Sequence, residues 1–246
     1  MSNSNGTVAL VTGGSRGIGA AIARRLAAAG SDVAITYRVG ADAAEEVATD
    51  IRAAGRRAIT LSADSADADQ VAGAVHRTVT ELGGIDILVN NAGIFPAKPF
   101  EEFSLDEIDR ALNIHARAPF VAAQAAVRHM GPGARIINIG SNLSERALFE
   151  GLTLYNLGKS ALNGYTRALA RELGPRGITV NLVQPGATDT DMNPAVSAHA
   201  ERQVRASALG SFGAADDVAG LVAFLAGPDG ARLTGATLTV DGGTNA

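Results

Sequence analysis

The sequence has no cysteine and no tryptophan, and only 4% of its residues are aromatic. The first absence excludes disulfides and thiolate metal sites. The second means that the core must be built from Ala, Val, Leu and Ile, which dominate the 46% of hydrophobic residues. No apolar run is long enough to span a bilayer, and positions 1–7 lack the basic and apolar pattern of a signal peptide. A cytoplasmic protein is therefore expected. Asn5-Gly6-Thr7 and Asn142-Leu143-Ser144 match the glycosylation tripeptide but, without a secretory signal, read as chance. A net charge of −4 argues against nucleic acid as the main partner. His76, His115, His129 and His199 share no metal-site spacing and read as surface or packing residues.

What is present is an alternation of short apolar runs and longer periodic segments over all 246 residues. Strands are expected at Val8–Val11, Val33–Tyr37, Arg57–Leu61, Ile85–Asn90, Arg135–Ile139, Ile178–Val183 and Thr237–Val240. Between them lie helices near Ile18–Ala29, Ala43–Ala54, Ala68–Leu82, Thr153 onward and Asp216–Leu225. Ser104-Leu105-Asp106-Glu107 is a capping box for a helix running to about Met130, kinked by Pro119. Continuous apolar strands separated by helices mean a seven-stranded, mostly parallel sheet covered on both faces. No linker or repeat interrupts the pattern, so residues 1–246 form a single doubly wound α/β domain. Ligands of such sheets bind beyond the carboxyl ends of the strands. That rule marks Thr12–Gly19, Tyr37–Arg38, Asp64, Asn90–Gly93, Ser141 and Pro185–Gly186 as the places to look.

Thr12-Gly13-Gly14-Ser15-Arg16-Gly17-Ile18-Gly19 joins the first strand to the first helix. Glycines at 13, 17 and 19 allow a sharp turn and let a pyrophosphate approach the helix N-terminus. The spacing departs from G-x-G-x-x-G, and a plain tight turn is the alternative. The same stretch fits the G-x-S-x-G elbow of serine hydrolases at Ser15. However, no earlier strand supplies a second oxyanion donor, and His199 lies in the loosest part of the chain. The second strand ends Thr36-Tyr37-Arg38, with no acid to bind a ribose 2′-hydroxyl. Arg38 and Arg16 suit a 2′-phosphate instead, which favours NADP(H) over NAD(H). Further on, Tyr155 and Lys159 are four residues apart, on one face of a helix. The ammonium should depress the phenol pKa, so that Tyr155 could exchange a proton with a substrate oxygen.

With these motifs in order, the chain resembles the short-chain dehydrogenases/reductases over essentially its whole length. The shared features are the loop Thr12–Gly19, Asn90-Asn91-Ala92-Gly93, the set Asn113, Ser141, Tyr155 and Lys159, the segment Pro185–Met192, and Leu233-Thr234-Gly235 leading to Val240-Asp241-Gly242-Gly243. The resemblance implies a Rossmann-type fold and an oxidoreductase that interconverts a carbonyl and a secondary alcohol. In it Ser141 binds the substrate oxygen, Tyr155 passes the proton, Lys159 tunes Tyr155 and holds the nicotinamide ribose, and Asn113 holds a water leading from Lys159 to solvent. The implied cofactor contacts are Gly13, Ser15, Arg16, Gly17, Ile18, Gly19, Tyr37, Arg38, Ala63, Asp64, Asn90, Ala92, Gly93, Tyr155, Lys159, Pro185, Gly186, Thr188, Thr190 and Met192. Asp64 would accept from the adenine amino group, Asn90 would fix the loop backbone, and Thr188 and Thr190 would meet the nicotinamide amide.

Ser141 lies 14 residues before Tyr155 and Ser144 lies 11 before it. Ser141 is preferred because it directly follows a strand. The loop Asn142–Glu150 should face substrate, and its Glu145, Arg146 and Glu150 are more charged than an apolar acyl channel needs. Residues 187–212 form the expected substrate loop, with Pro194–Gly210 as its flap. A homotetramer is implied by resemblance, and the closest subgroup contains the 3-oxoacyl-carrier-protein reductases. Arg128 and Arg176 are weak grounds for a carrier-protein partner. A Rossmann-type protein that binds cofactor without turnover is the alternative from another class.

Overall fold

The computed structural model describes residues 6–197 and 199–246. Asn5 of the first glycosylation tripeptide, most of the N-terminal stretch and Ala198 of the expected flap lie outside the described residues. Among those described, seven strands form one sheet in the order β3-β2-β1-β4-β5-β6-β7. They are β1 Val8–Val11, β2 Asp32–Tyr37, β3 Ala58–Ser62, β4 Ile87–Asn90, β5 Arg135–Ile139, β6 Thr179–Pro185 and β7 Thr237–Val240. Every pairing is parallel, so the mostly parallel expectation resolves to a wholly parallel sheet.

The helices are α1 Gly17–Ala28, α2 Ala41–Ala53, α3 Ala68–Leu82, α4 Leu105–Leu112, α5 Ala118–Ala126, α6 Thr153–Leu173, α7 Ala200–Ala206 and α8 Ala215–Ala226. One core layer packs α1, α2 and α8 on the sheet through Ile22, Leu26, Val47, Ile51, Val218 and Leu225. The other packs α3, α5 and α6 through Val71, Val75, Ala122, Ala126, Ala170 and Leu173. Small side chains let α1, α5 and α8 lie close to the strands, as the low aromatic content requires.

The capping box holds. Ser104 Oγ accepts from Glu107 N–H at 3.3 Å, and Ser104 N–H donates to Glu107 Oε2 at 2.9 Å. The long helix expected from it is instead three pieces. After α4 comes a π-helical turn, Asn113–Arg117, then α5, which ends at Ala126 rather than Met130. The physical reason is Pro119, which has no N–H to give His115. The turn widens ahead of it, and Ala118 N–H reaches back five residues to the Asn113 carbonyl. A single π turn thus takes the place of a simple kink.

The order of the strands reverses between β1 and β4, the switch point at which a doubly wound sheet opens a crevice.

Candidate active site

A cavity of about 650 Å³ opens at the carboxyl end of the sheet. Its floor is the β1–α1 loop. Gly13 and Gly17 have φ of 64° and 53°, in the left-handed region. A Cβ on Gly13 would lie 3.0 Å from Ala92 Cα, and one on Gly19 would run into the Gly13 carbonyl. The loop is therefore a cradle that side chains would fill. Two groups hold it: Thr36 Oγ1 accepts from Gly13 N–H at 3.0 Å, and Asn91 Nδ2 donates to the carbonyls of Thr12 at 2.9 Å and Gly13 at 3.1 Å.

This corrects the expectation for Asn90. Its amide points into the protein and donates to Asn138 Oδ1 at 2.8 Å, in a chain that continues to Thr166. Alternation along β4 is the cause, because successive side chains leave on opposite faces. Asn91, just past the strand, is the residue that reaches the loop.

Arg16 and Arg38 line one end of the cavity, and both are exposed. Arg16 is 3.9 Å from Asp191 across the cavity mouth. Asp64 also lines this end, but its carboxylate is 3.2 Å from Arg110 and accepts from Ala66 N–H at 2.9 Å. Burial pushes the Asp64 carboxyl up. The Ala66 hydrogen bond and the charges of Arg110 and Arg38 outweigh burial and hold it below the usual carboxylate range.

At the other end stand Ser141, Tyr155 and Lys159, all buried and all lining the cavity. Ser141 follows β5, and its Oγ accepts from Leu143 N–H at 3.2 Å. Ser144 faces away. Its hydroxyl donates to the Ser141 carbonyl at 2.7 Å and accepts from Gln184 at 2.9 Å and Asn163 at 3.3 Å. That network commits Ser144 to the scaffold and leaves Ser141 as the serine at the cavity.

Burial pushes the Tyr155 phenol up from its ordinary value, and the Ser141 hydroxyl offsets only part of the rise. The expected depression by Lys159 is therefore not what this site shows: loss of solvent raises the phenol, and the opposing cause is the Ser141 hydroxyl. Lys159 Nζ donates to the Ile139 carbonyl at 2.9 Å, and burial brings its pKa from 10.5 down to about 8.

Of the expected site residues, only Asn90 and Asn113 fail to line this cavity among the described residues. Asn113 begins the π turn, half-buried, with its carbonyl engaged by Ala118 N–H. Ile114 lines the cavity in its place. His115, expected to be a surface or packing residue, is 1% exposed and stands edge-on to Tyr155 with ring centroids 5.7 Å apart. The available signal was Gly158 beside Lys159: a glycine inside a helix marks close approach, and His115 fills the space.

The part of the wall beside Tyr155 is apolar. Phe95 packs against Tyr155 with centroids 4.7 Å apart, and Leu148, Phe149 and Leu152 line the same region. Of the loop's charged residues Glu150 lines the cavity, whereas Glu145 and Arg146 do not, Arg146 donating to the Thr244 carbonyl at 3.2 Å. The flap region contains α7, which sequence periodicity did not reveal. Arg202 on α7 lies over the Phe149 ring at 4.4 Å and donates to the Leu148 carbonyl at 3.1 Å. Asn193 and Gln203 exchange two amide hydrogen bonds of 2.9 Å.

Residues 13–245 match the family model described as enoyl-(acyl carrier protein) reductase. A short chain dehydrogenase from Burkholderia cenocepacia J2315, solved in complex with NADP, superposes with a TM-score of 0.97 at 57% identity, over 98% of this chain and 99% of that one. The chain belongs to the short-chain dehydrogenase/reductase family. It is thus an oxidoreductase by family, and the doubly wound fold expected from its strand pattern is the fold of these relatives. A blue fluorescent protein from a metagenomic library, in complex with NADPH, is similar to this short-chain dehydrogenase/reductase at 56% identity and a TM-score of 0.97, covering 99% and 100% of the two chains. The cyclic-di-GMP-binding biofilm dispersal mediator protein of Escherichia coli K12 is 44% identical over 96% of each chain.

Proposed function

We propose that this protein is an NADP(H)-dependent carbonyl reductase or alcohol dehydrogenase. The observation that carries this reading is one cavity holding both a glycine cradle with two arginines and the buried set Ser141, Tyr155 and Lys159. The cofactor fits the residues present. Gly13, Gly17 and Gly19 clear space for a pyrophosphate at the start of α1. Arg16 and Arg38 suit a 2′-phosphate, and of the two carboxylates beside them Asp64 is already engaged by Arg110 while Asp191 lies 3.9 Å from Arg16. The relatives solved with NADP and NADPH support the same choice.

When bound, NADPH supplies hydride to the substrate carbonyl carbon. Tyr155, kept protonated by burial, gives its phenolic proton to the carbonyl oxygen, which becomes the alcohol hydroxyl. Ser141 hydrogen-bonds the same oxygen and orients it. Lys159 keeps a positive charge behind the phenol as the oxygen gives up its proton. Glycine-loop backbone, Asn91 through that backbone, and Thr188 and Thr190 complete the cofactor cradle; Thr188 Oγ1 donates to the Gly186 carbonyl at 3.1 Å and is placed by it. The lining by Phe95, Leu148, Phe149 and Leu152 suits a substrate with an apolar body next to its carbonyl.

We also infer a cytoplasmic homotetramer. Phe120 on α5 and Leu157 on α6 are each 55% exposed, which supports helix faces that pair with other copies. Among the described residues no helix is long and apolar enough to cross a membrane. The test of function is NADPH and NADH absorbance with ketones, 3-oxoacyl thioesters and enoyl thioesters. Reduction of at least one carbonyl substrate with NADPH is expected. Reduction of enoyl thioesters only would replace the carbonyl reading with a different reductase. A second arm titrates cyclic di-GMP against NADPH fluorescence, because the Escherichia coli relative is named for binding it. Displacement without turnover of any substrate would support a binding protein instead.

A further inference from the structure

His115 is the buried titratable side chain nearest the reacting groups that the proposed chemistry does not use. Its Nε2 accepts from Ile94 N–H at 3.1 Å. That bond requires a lone pair on Nε2, so the proton of the neutral ring sits on Nδ1. Nδ1 is buried and has no partner among the described residues. A Cβ on Gly158 would lie 2.7 Å from Nδ1, and one on Gly93 would lie 3.4 Å from both His115 Nε2 and Lys159 Nζ. Two glycines thus clear room for one imidazole between the helix that carries Tyr155 and Lys159 and the loop that follows β4. The ring also touches Tyr155 edge-on, with an interplanar angle of 89°. Phe95, adjacent to the residue whose N–H it holds, packs on Tyr155 from another direction at 62°.

A side chain kept only for packing would not leave a buried N–H without an acceptor, since an apolar residue of similar size fills space at less cost. We propose that His115 is a positioning residue: its imidazole locks the Ile94–Phe95 wall and the Tyr155 ring into one geometry, from a π turn that places it between them. The π turn is part of the device, because the extra residue in the turn carries position 115 away from its place in a continuous helix. The inference rests on the reading of Tyr155 as proton donor.

The test compares His115→Gln, which keeps an acceptor for Ile94 N–H, with His115→Phe, which keeps a ring edge alone, and His115→Leu, which keeps neither. Ketone reduction gives kcat and KM, NADPH fluorescence gives cofactor Kd, and thermal unfolding reports the fold. For His115→Leu, kcat should fall by about tenfold while NADPH Kd changes by less than about twofold, because misplacing a reacting group affects the chemical step more than binding. His115→Gln should recover most of that kcat and His115→Phe should not. A folded His115→Leu with unchanged kcat overturns the proposal, as does a His115→Gln no better than His115→Phe. If the leucine variant fails to fold, the Gln and Phe pair decides alone. Tyr155→Phe run in parallel separates the two claims: full turnover there defeats the proton-donor reading, whereas its loss with normal His115 variants defeats only the positioning role.

Discussion

At the scale of single residues, the site turns on burial. Tyr155 and Lys159 sit at the spacing their sequence positions imply, yet the phenol is pushed up and the ammonium down. Sequence spacing shows which groups are neighbours but not how much water they lose. With Lys159 near 8, the empty enzyme holds the cation at neutral pH and loses it as pH rises. Ketone reduction should therefore have an alkaline limb, falling above about pH 8, and Lys159→Arg, which stays charged, should remove that limb from whatever activity it retains. A pH profile of kcat/KM checks this. His115 gives the opposite end of the range. Its folded pKa is near 3 against an ordinary 6.5, because of burial and the Lys159 charge. The unfolded chain takes up a proton below 6.5 that the folded protein refuses, so stability is lost as pH falls through this window, by up to about 1.4 kcal/mol per unit. Urea unfolding across pH 4–7 should show a shallower slope for His115→Gln. Asn90 and Asn91 make a related point: their identity was legible, but which one reaches the glycine loop depends on where β4 ends.

At the scale of elements, strong local signals carried their boundaries. β1, β5, β7 and α3 run where the apolar patterns place them. The Ser104 capping box opens α4 as its residues dictate. What was not legible has a physical cause in each case. The π turn adds one residue to a helix, and in the sequence only Pro119 hinted at it. Helix α7, Ala-Glu-Arg-Gln-Val-Arg-Ala, has too few apolar residues to show a periodic face, and its place comes from tertiary contacts of Arg202 and Gln203. The close approach of α6 to the π turn can be probed at Gly158. A Cβ there meets His115 at 2.7 to 2.9 Å, so Gly158→Ala should destabilise the protein by about 1–3 kcal/mol, despite the better helix propensity of alanine. Chemical denaturation measures it; a stabilised variant would mean that α6 does not press on His115.

At the scale of the whole molecule, a sheet with its switch point between β1 and β4 gathers residues from distant parts of the chain into one 650 Å³ cavity. That gathering was legible because parallel order and strand ends are readable from apolar runs. The apolar wall beside Tyr155 was not, since Leu148 and Phe149 turn inward only once Arg202 and Thr244 hold the loop. Cofactor choice belongs to this scale too, because Arg16 and Arg38 come from different elements. Replacing both with alanine should weaken NADPH binding by about a hundredfold and leave NADH binding within a few fold, since each arginine loses a charge-assisted contact to the 2′-phosphate alone. Fluorescence titration with the two cofactors reads the difference.

The central claim is that Tyr155 donates the proton when a carbonyl is reduced. Single-turnover reduction of a ketone by enzyme preloaded with NADPH, comparing the wild type with Tyr155→Phe, tests it directly. The account predicts a rate lower by about a thousandfold, the size of a lost general acid, with NADPH binding intact. A phenylalanine variant that reduces the ketone at the wild-type rate would contradict it.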